Sequence, residues 1–487
     1  MENELLEQRK QKLEELKRLH INPFANDFKP SHVASDIASQ YGELSEERLK
    51  EIAGEYSLAG RVVAIRDFGK SIFFHIMDRT GRIQGYVKKD IVGEDNINFF
   101  KKFIDIGDFI GIKGNIFKTK TGELTLNVKE FRLVTKALRS LPEKWHGLKD
   151  IETRYRQRYL DTISNDEVKE IFLKRAKIIS LIRSFLDQRN FIEVETPILH
   201  PVAGGAAAQP FKTYHNTLEM ELYLRIAPEL YLKRLVVGGL ERVYEIGRTF
   251  RNEGVSTQHN PEFTILELYQ SYSTYEDLMD LIEELICFVT RNVLEKLEFE
   301  YQGKMITLNR PWRRISIPES LTALLGEEIF KNDSILFSKA DSCGINHKDI
   351  RGKAIVELFE HYIGKAVTDP AFVYGFPLDV SPLARRNDKN SDITDRFELF
   401  IAGREMANAF SELNDPIDQY NRFTSQLELK DKGRDEYHEM DEDFITALEH
   451  GMPPTAGAGL GIDRLVMLLT NSPSIREVIF FPHLRPE

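Results

Sequence analysis

The residues of this chain best suited to chemistry fall in one stretch, 244–272, YEIGRTFRNEGVSTQHNPEFTILELYQSY. Arg251, Asn252, Glu253 and Gly254 are followed closely by Gln258, His259, Asn260, Pro261 and Glu262. A guanidinium forks a phosphate, a carboxylate accepts from an exocyclic amine, and an aromatic ring stacks on a base. Arginine, glutamate and histidine held on one loop therefore make a phosphate and base reader. Glu267 and Tyr269 follow two residues apart, on one face of any strand that carries them. Taken alone, the triplet Arg251-Asn252-Glu253 is better described as an ordinary hairpin with a charged, solvated loop; what comes earlier and later in the chain reverses that.

Two strands must position that loop. The alternation of 244–250 and the apolar, aromatic run of 263–272 supply them. Upstream, 166–190 reads as a long amphipathic helix ended by Asn190, and FIEVETPIL (191–199) as an alternating strand stopped by Pro197. VAGGAAAQPF (202–211) has the small-residue composition of a mobile loop near a ligand. Residues 221–247 give a strand and then a helix opened by Pro228, with Glu229 where the helix dipole favours a carboxylate. Downstream, 275–300 reads as helix and 313–370 as a helical insertion without a usable motif. Between 396 and 416, Glu398, Glu405 and Glu412 recur at steps of seven. On one helix they form either a solvated acidic stripe or the wall of a cation site, but the content of FELFIAG favours a strand first. GMPPTAGAGLGIDRLVMLLT (451–470) is a Gly-rich strand and turn that opens an apolar helix at Ile462, with Arg464 in its first turn.

Before these elements come two others. Residues 1–55 are a helical segment: 3–19 is amphipathic, with Lys10, Lys12, Lys17 and Arg18 as a basic side, and a second helix spans about 44–53. From 56 to 135 five short strands, with glycines at the turns and a helix at 95–104, match a small OB-type barrel. Such barrels offer aromatics to bases and lysines to the backbone. Phe73, Gln84 and Glu123 project from its face in this reading, with Lys113, Lys118 and Lys120 at the rim. Residues 136–150, with Pro142 and Gly147, form a linker ahead of a domain spanning 151–487. Just inside it, RYRQRYLD (154–161) is a basic and aromatic cluster that suits RNA contact or a dimer-contact turn.

At 487 residues the chain has room for two or more domains and a large core. Hydrophobic residues make up 41% and charged residues 29%, the balance of a soluble globular protein. A net charge of −11 argues on average against nucleic-acid binding, though a basic patch can sit on an acidic protein. No run approaches the roughly 18 apolar residues of a membrane helix, so no membrane partner is expected. The first twenty residues are too charged for a signal peptide. Cys287 and Cys343, far apart and without ligand spacing, point to a reducing, cytoplasmic setting with no zinc site or disulfide framework.

Three pieces in one order carry a resemblance. FIEVETPIL resembles motif 1 of the class II aminoacyl-tRNA synthetases, RTFRNEG with HNPEFT resembles motif 2, and GAGLGIDR resembles motif 3. The barrel before them narrows the likeness to subclass IIb, the lysyl, aspartyl and asparaginyl enzymes, and essentially the whole chain is covered. APELYLKRL, RYRQRYLD, FSELNDP and PPTAGAGLGIDR are most similar to the bacterial-type lysyl group. The resemblance implies an α+β fold: an N-terminal OB barrel, then a catalytic domain with an antiparallel sheet flanked by helices. It implies ATP-dependent activation of L-lysine to an adenylate, then transfer to the 3′ end of tRNA-Lys by a homodimer. It assigns Arg251 to the α-phosphate and Arg464 to the γ-phosphate end of ATP, with Glu253, His259 and Phe263 positioning the nucleotide. Glu398 and Glu405 become Mg²⁺ ligands, and Glu405 also touches ATP. Glu229 takes the α-amino group; Glu267, Tyr269 and Glu412 face the ε-ammonium; Asn408 and Phe410 shape the pocket and Gly205 closes over it. Phe73, Gln84 and Glu123 read the anticodon, with Arg61 nearby. A cationic substrate needs buried carboxylates, whereas an aspartate pocket wants an inward arginine or lysine, and none stands among these positions. An aspartyl or asparaginyl enzyme, or a silent RNA-binding paralogue, are the alternatives.

Overall fold

A computed structural model describes residues 2–485 apart from 53, 143–147, 207, 348–349 and 432–438, with the backbone alone for 2 and 428–431. Gly147 of the expected linker lies outside the described residues. The chain divides into two compact units, 1–149 and 150–487.

In the first unit, β1 (Tyr56–Asp67), β2 (Ser71–Met77), β3 (Arg82–Lys88), β4 (Phe109–Lys118) and β5 (Leu124–Thr135) close a barrel in the order β1-β2-β3-β5-β4. The period of two does this: Ile72, Phe74 and Ile76 of β2 turn inward and are buried, while their neighbours face out. Gly85 opposite Phe74 is there for space, because a Cβ would sit 2.3 Å from the Phe74 ring. The helix Glu94–Phe103 adds Phe100 and Phe103 to this core. The opening helix, Glu2–Arg18, spends its basic side internally: Lys10, Lys12 and Lys17 each lie 2.7 Å from Glu7, Asp105 and Glu14.

The second unit is built on β6 (Ile192–Glu193), β7 (Arg242–Phe250), β8 (Glu262–Ser271), β9 (Arg313–Ser316), β10 (Ala371–Tyr374), β11 (Arg396–Ile401), β12 (Arg404–Ser411) and β13 (Thr455–Gly461). Their order is β9-β10-β11-β12-β13-β8-β7-β6. The strands from β10 to β7 are antiparallel, as expected, but β9 and β6 pair in parallel at the edges, so the sheet is mixed. One face is apolar: Leu266, Leu268, Leu399, Ala407, Ala409, Ala458 and Leu460 pack with residues of the helices Asp166–Asp187, Tyr275–Leu294 and Ile462–Leu469. Each large aliphatic side chain buried there contributes about 1.5–3 kcal/mol. The sequence TAGAGLG of β13 shows the logic. Ala456, Ala458 and Leu460 go into the core, and the alternate positions are glycines that leave the other face bare.

Several expectations are corrected. Residues 191–199 are not a continuous strand, for only Ile192–Glu193 and Leu199–His200 pair. Between them Pro197 has no N–H to give, and Thr196 instead bonds Glu245 through its Oγ1 (2.7 Å). The helix from Tyr275 ends at Leu294, where Glu295 turns left-handed at φ 62°, and Glu298–Tyr301 is a strand. The 313–370 stretch opens with β9, a strand of the main sheet. Its helices then enclose a separate apolar cluster around Leu321, Leu336, Leu358 and Phe359. Nor is RYRQRYLD a free basic surface. Arg158 is buried with its Nη1 2.6 Å from Asp161, Arg154 Nε donates to the same carboxylate (2.9 Å), and Arg156 Nε bonds Glu152 (3.0 Å).

Candidate active site

Directly opposed residues of antiparallel strands point to one side, so the register writes out the site. One row across the bare face runs Glu245, Glu267, Gly459, Asn408, Glu398. The next runs Val243, Tyr269, Gly457, Phe410, Arg396. Glu398 and Glu405, seven apart in sequence, thus come from adjacent strands of a hairpin and not from one helix. A β-bulge between Leu399 and Phe400 shifts the pairing so that Glu405 faces Phe400.

A cavity of about 620 Å³ lies over these rows. Gly205, Glu229, Arg251, Glu253, His259, Phe263, Glu267, Tyr269, Glu405, Asn408, Phe410 and Arg464 all line it. Glu398 and Glu412 do not reach its wall; both are buried beside it. Gly205 has φ 88°, a left-handed conformation glycine tolerates, and a Cβ there would come within 3.1–3.2 Å of Ala227 and Glu229.

The two ends of the cavity differ in charge. At one, Arg251 extends from the end of β7 over the Phe263 ring (5.1 Å to its centroid). Its Nε has no hydrogen-bond partner among the described residues, and burial draws its pKa down from the usual value. Arg464 donates from Nη1 to the Glu405 carbonyl (2.5 Å) and lies 3.2 Å from its carboxylate. Asp463 aims that arginine: it accepts from the Thr264 N–H (2.7 Å) and Arg175 (2.6 Å), locking the helix start to β8. The sequence reading missed Asp463, whose only signal was its place beside Arg464. His259 is steadied by Ser256 (3.0 Å to Nδ1), and burial followed by the Arg464 charge lowers its pKa. These are anion-binding donors on one wall.

The other end is acidic. Glu267 accepts from the Tyr269 hydroxyl (3.1 Å), and burial, then the nearby Glu229, pushes its pKa up to about 8. Burial also raises Glu229 and Glu412. The absence of an inward basic residue is overturned here. Lys233, one helical turn after Glu229, is fully buried with Nζ 2.6 Å from Glu229 and in contact with Glu412. The i, i+4 spacing of Glu229 and Lys233 was the signal. Lys233 is already held by two carboxylates, so it does not reverse the sign of the pocket.

Between the ends, Arg396 donates to Glu398 (2.7 Å), Asn408 (3.1 Å), Ser381 and the Val380 carbonyl (2.9 Å each). Burial first, then the Glu405 charge, lifts Glu398 to about 8. Among the described residues no group of three or more His, Cys, Asp or Glu is gathered for a metal.

On the barrel, Phe73 lies 4.5 Å from the Tyr86 ring, and Gln84 donates to Glu123 (2.7 Å), which also meets His75 (2.8 Å). Gln84 is nearly fully buried and accepts from Thr125 as well (2.9 Å). Arg61 is not with them: its guanidinium bonds the Gly107 carbonyl (3.1 Å) and covers Phe109, and Arg66 is the residue paired with Phe73.

Comparison with known proteins agrees with this geometry. Residues 150–485 match the family described as tRNA synthetases class II (D, K and N), and 56–134 match the OB-fold nucleic acid binding domain. The chain is 53% identical to a lysine–tRNA ligase of Carboxydothermus hydrogenoformans, over 99% of this chain and 98% of the relative. It is 51% identical to one from Halalkalibacterium halodurans (99% and 97%) and 50% identical to one from Staphylococcus haemolyticus (99% of each). An arginine-walled cavity on a mixed sheet, its floor cleared by the glycines of β13, together with a barrel that matches the nucleic-acid fold, therefore belongs to a member of the class II tRNA synthetases.

Proposed function

We infer that the chain is a lysine–tRNA ligase: it activates L-lysine with ATP to lysyl-adenylate and pyrophosphate, then esterifies the 3′ end of tRNA-Lys. The observation that carries this is the polarity of the cavity. Arg251 and Arg464 stand at one end, and Glu229, Glu267 and Glu412 stand within or beside the other. The substrate carboxylate is already ionised at neutral pH, so the first step needs no general base. What it needs is in-line placement and neutralised phosphate. Arg251 holds the α-phosphate, where charge develops as the anhydride forms, and Arg464 holds the γ-phosphate end. Glu253, His259 and Phe263 place the nucleotide, Phe263 by stacking on adenine. Glu229 orients the α-amino group, and Glu267, Tyr269 and Glu412 receive the ε-ammonium, with Asn408, Phe410 and Gly205 bounding the pocket.

Glu398 and Glu405 suit Mg²⁺, which takes a few carboxylates and fills its sphere with phosphate oxygens and water. A bound Mg²⁺ would offset charge on the ATP phosphates. In the barrel Phe73, Gln84 and Glu123 read unpaired anticodon bases by stacking and edge hydrogen bonds; Arg61, tied to Gly107, is left to shape the barrel. A homodimer fits the half-exposed Ile192, Ile198 and Leu199 around the first motif. A cytoplasmic setting fits the two free cysteines, and no described helix is long and apolar enough to cross a membrane.

ATP–pyrophosphate exchange with lysine, aspartate or asparagine, in Mg²⁺ and without tRNA, tests the reading. Exchange with lysine alone, lost on chelation, is expected. Exchange driven by aspartate or asparagine would refute the substrate assignment, and none with any of the three would refute the activity.

A further inference from the structure

The lysine pocket contains a lysine of the protein's own. Lys233 Nζ is buried, 2.6 Å from Glu229 Oε1 and against Glu412 Oε2, with the faces of Phe410 and Phe444 at 5.4 and 5.9 Å. Burial opposes its charge, but Glu229 and Glu412 outweigh that and hold it protonated. The mechanism proposed above leaves it unused, and the sequence reading did not single it out.

A pocket for an ammonium has an electrostatic problem before its ligand arrives. Glu229, Glu267 and Glu412 are all buried; Glu267 feels the charge of Glu229, and Glu412 feels both Glu229 and Glu267. Buried carboxyls of one sign shed that charge by taking up protons. A protonated pocket binds an ammonium only after expelling those protons. Among the described residues, the other charges facing the set are these: Arg396 acts on Glu229, Arg225 and Glu245 act on Glu267, Arg251 reaches Glu267 from the phosphate end, and the Tyr269 hydroxyl donates to Glu267. Arg225 is matched 2.5 Å away by Glu245, and Arg396 is bonded to Glu398, so neither is free to neutralise the pocket. Among the described cations, Lys233 alone touches two members of the set. Glu412 Oε1 meanwhile has no hydrogen-bond partner among the described residues.

Resting on the lysine reading of the site, we propose that Lys233 is a positioning and specificity-determining residue: a resident counter-ion that works against burial and favours the ionised forms of Glu229 and Glu412 in the empty pocket, so that they meet the ammonium groups of lysine as carboxylates. Glu267, which Lys233 does not touch, is then the one carboxyl that gives up a proton when lysine binds. No bond is made or broken by Lys233. Its effect is to lower the number of protons that lysine must displace.

Two measurements test this. Calorimetry of lysine binding to the wild-type protein, in buffers of different ionisation enthalpy at pH 7, counts the protons released. About one is expected; release of two or more would overturn the proposal, whatever the fate of any variant. In Lys233→Met, which keeps an unbranched side chain and removes the charge, the count rises by about one. The KM for lysine in pyrophosphate exchange then increases about tenfold to a hundredfold at pH 7, because each pKa unit above ambient pH costs a factor of ten. The increase shrinks as pH is raised toward about 9, where the carboxyls ionise unaided. The KM for ATP moves less than about twofold, as expected for a loss confined to amino-acid binding. A merely structural loss would not follow pH in this way. An unchanged or lower KM for lysine in the variant, or a penalty independent of pH, would overturn the proposal. Wild-type protein that neither binds lysine nor exchanges with it would instead refute the lysine reading itself.

Discussion

The substitution Gly457→Ala tests how closely the pocket is built. Gly457 lies between Tyr269 on β8 and Phe410 on β12, directly opposite both. An alanine Cβ would fall 2.2 Å from Glu412 Oε1 and 2.4 Å from Tyr269 Cε1. Ordinary carbon contacts are about 3.5–4.0 Å, so ring and carboxylate must each retreat by more than about 1 Å. Both are nearly fully buried, Tyr269 3% and Glu412 2% exposed, and the open side of Tyr269 is the cavity itself, so a retreat takes space from the substrate. Overpacking of this kind costs about 1–3 kcal/mol. The groups displaced are two of the three proposed to hold the ε-ammonium, so the cost should appear in lysine affinity as about a fivefold to 150-fold rise in KM, at 1.4 kcal/mol per tenfold. The assay is pyrophosphate exchange with lysine varied at saturating ATP and then ATP varied at saturating lysine, beside a thermal melt. Arg251 and Arg464 are untouched, so ATP dependence should hold. Gly459→Ala is the control for stability: its Cβ meets the mobile tip of Ile265 at 3.3 Å, and it should melt higher than Gly457→Ala. A folded Gly457→Ala protein with a lysine KM within about twofold of wild type would refute the reasoning, since overpacking of that size cannot vanish.

Other expectations are more direct. Arg251→Ala should lower the exchange rate by about 10²–10³, the usual loss when one donor to developing charge is removed, with the fold intact by melting; a loss below tenfold would remove Arg251 from the phosphate. Glu267 titrates near 8 when folded against 4.5 as a free group. Its folded pKa is raised, so its contribution is complete below 4.5 and lost as pH rises to about 8. Unliganded wild-type protein should therefore lose stability relative to Glu267→Gln across that window, by up to about 1.4 kcal/mol per pH unit, read from paired melts; parallel curves would contradict it. Phe73→Ala should leave pyrophosphate exchange intact and raise the KM for tRNA about fivefold or more, from a stacking loss of about 1–3 kcal/mol; equal tRNA kinetics would free Phe73 from base recognition.

The sequence by itself determined the order of parts and most of the chemistry. Glycine turns between short strands marked the barrel, alternation marked β7, and an apolar, aromatic run marked β8, because a strand that meets a core must show it in its side chains. Arg251, Glu267, Tyr269 and Arg464 were legible for a related reason: their spacing places them on a strand or at a helix start, and their types suit phosphate or ammonium. The OB barrel and the glycines of β13 were legible as well. Pairing in space was not. Nothing local in 396–412 says that Glu398 and Glu405 stand on adjacent strands, because a hairpin register comes from the whole sheet. FIEVETPIL alternates like a strand, yet most of it is unpaired, since Pro197 and the Thr196–Glu245 bond claim the backbone. Arg158 read as part of an exposed basic cluster and proved buried, and Lys233 drew no reading at all, because burial depends on what the rest of the chain brings near. Arg61 was tied to Gly107 for the same reason. Residue types and spacing are local properties and could be read directly. Which carboxylate meets which cation, and how much water is left between them, was decided only when the sheet brought its strands together.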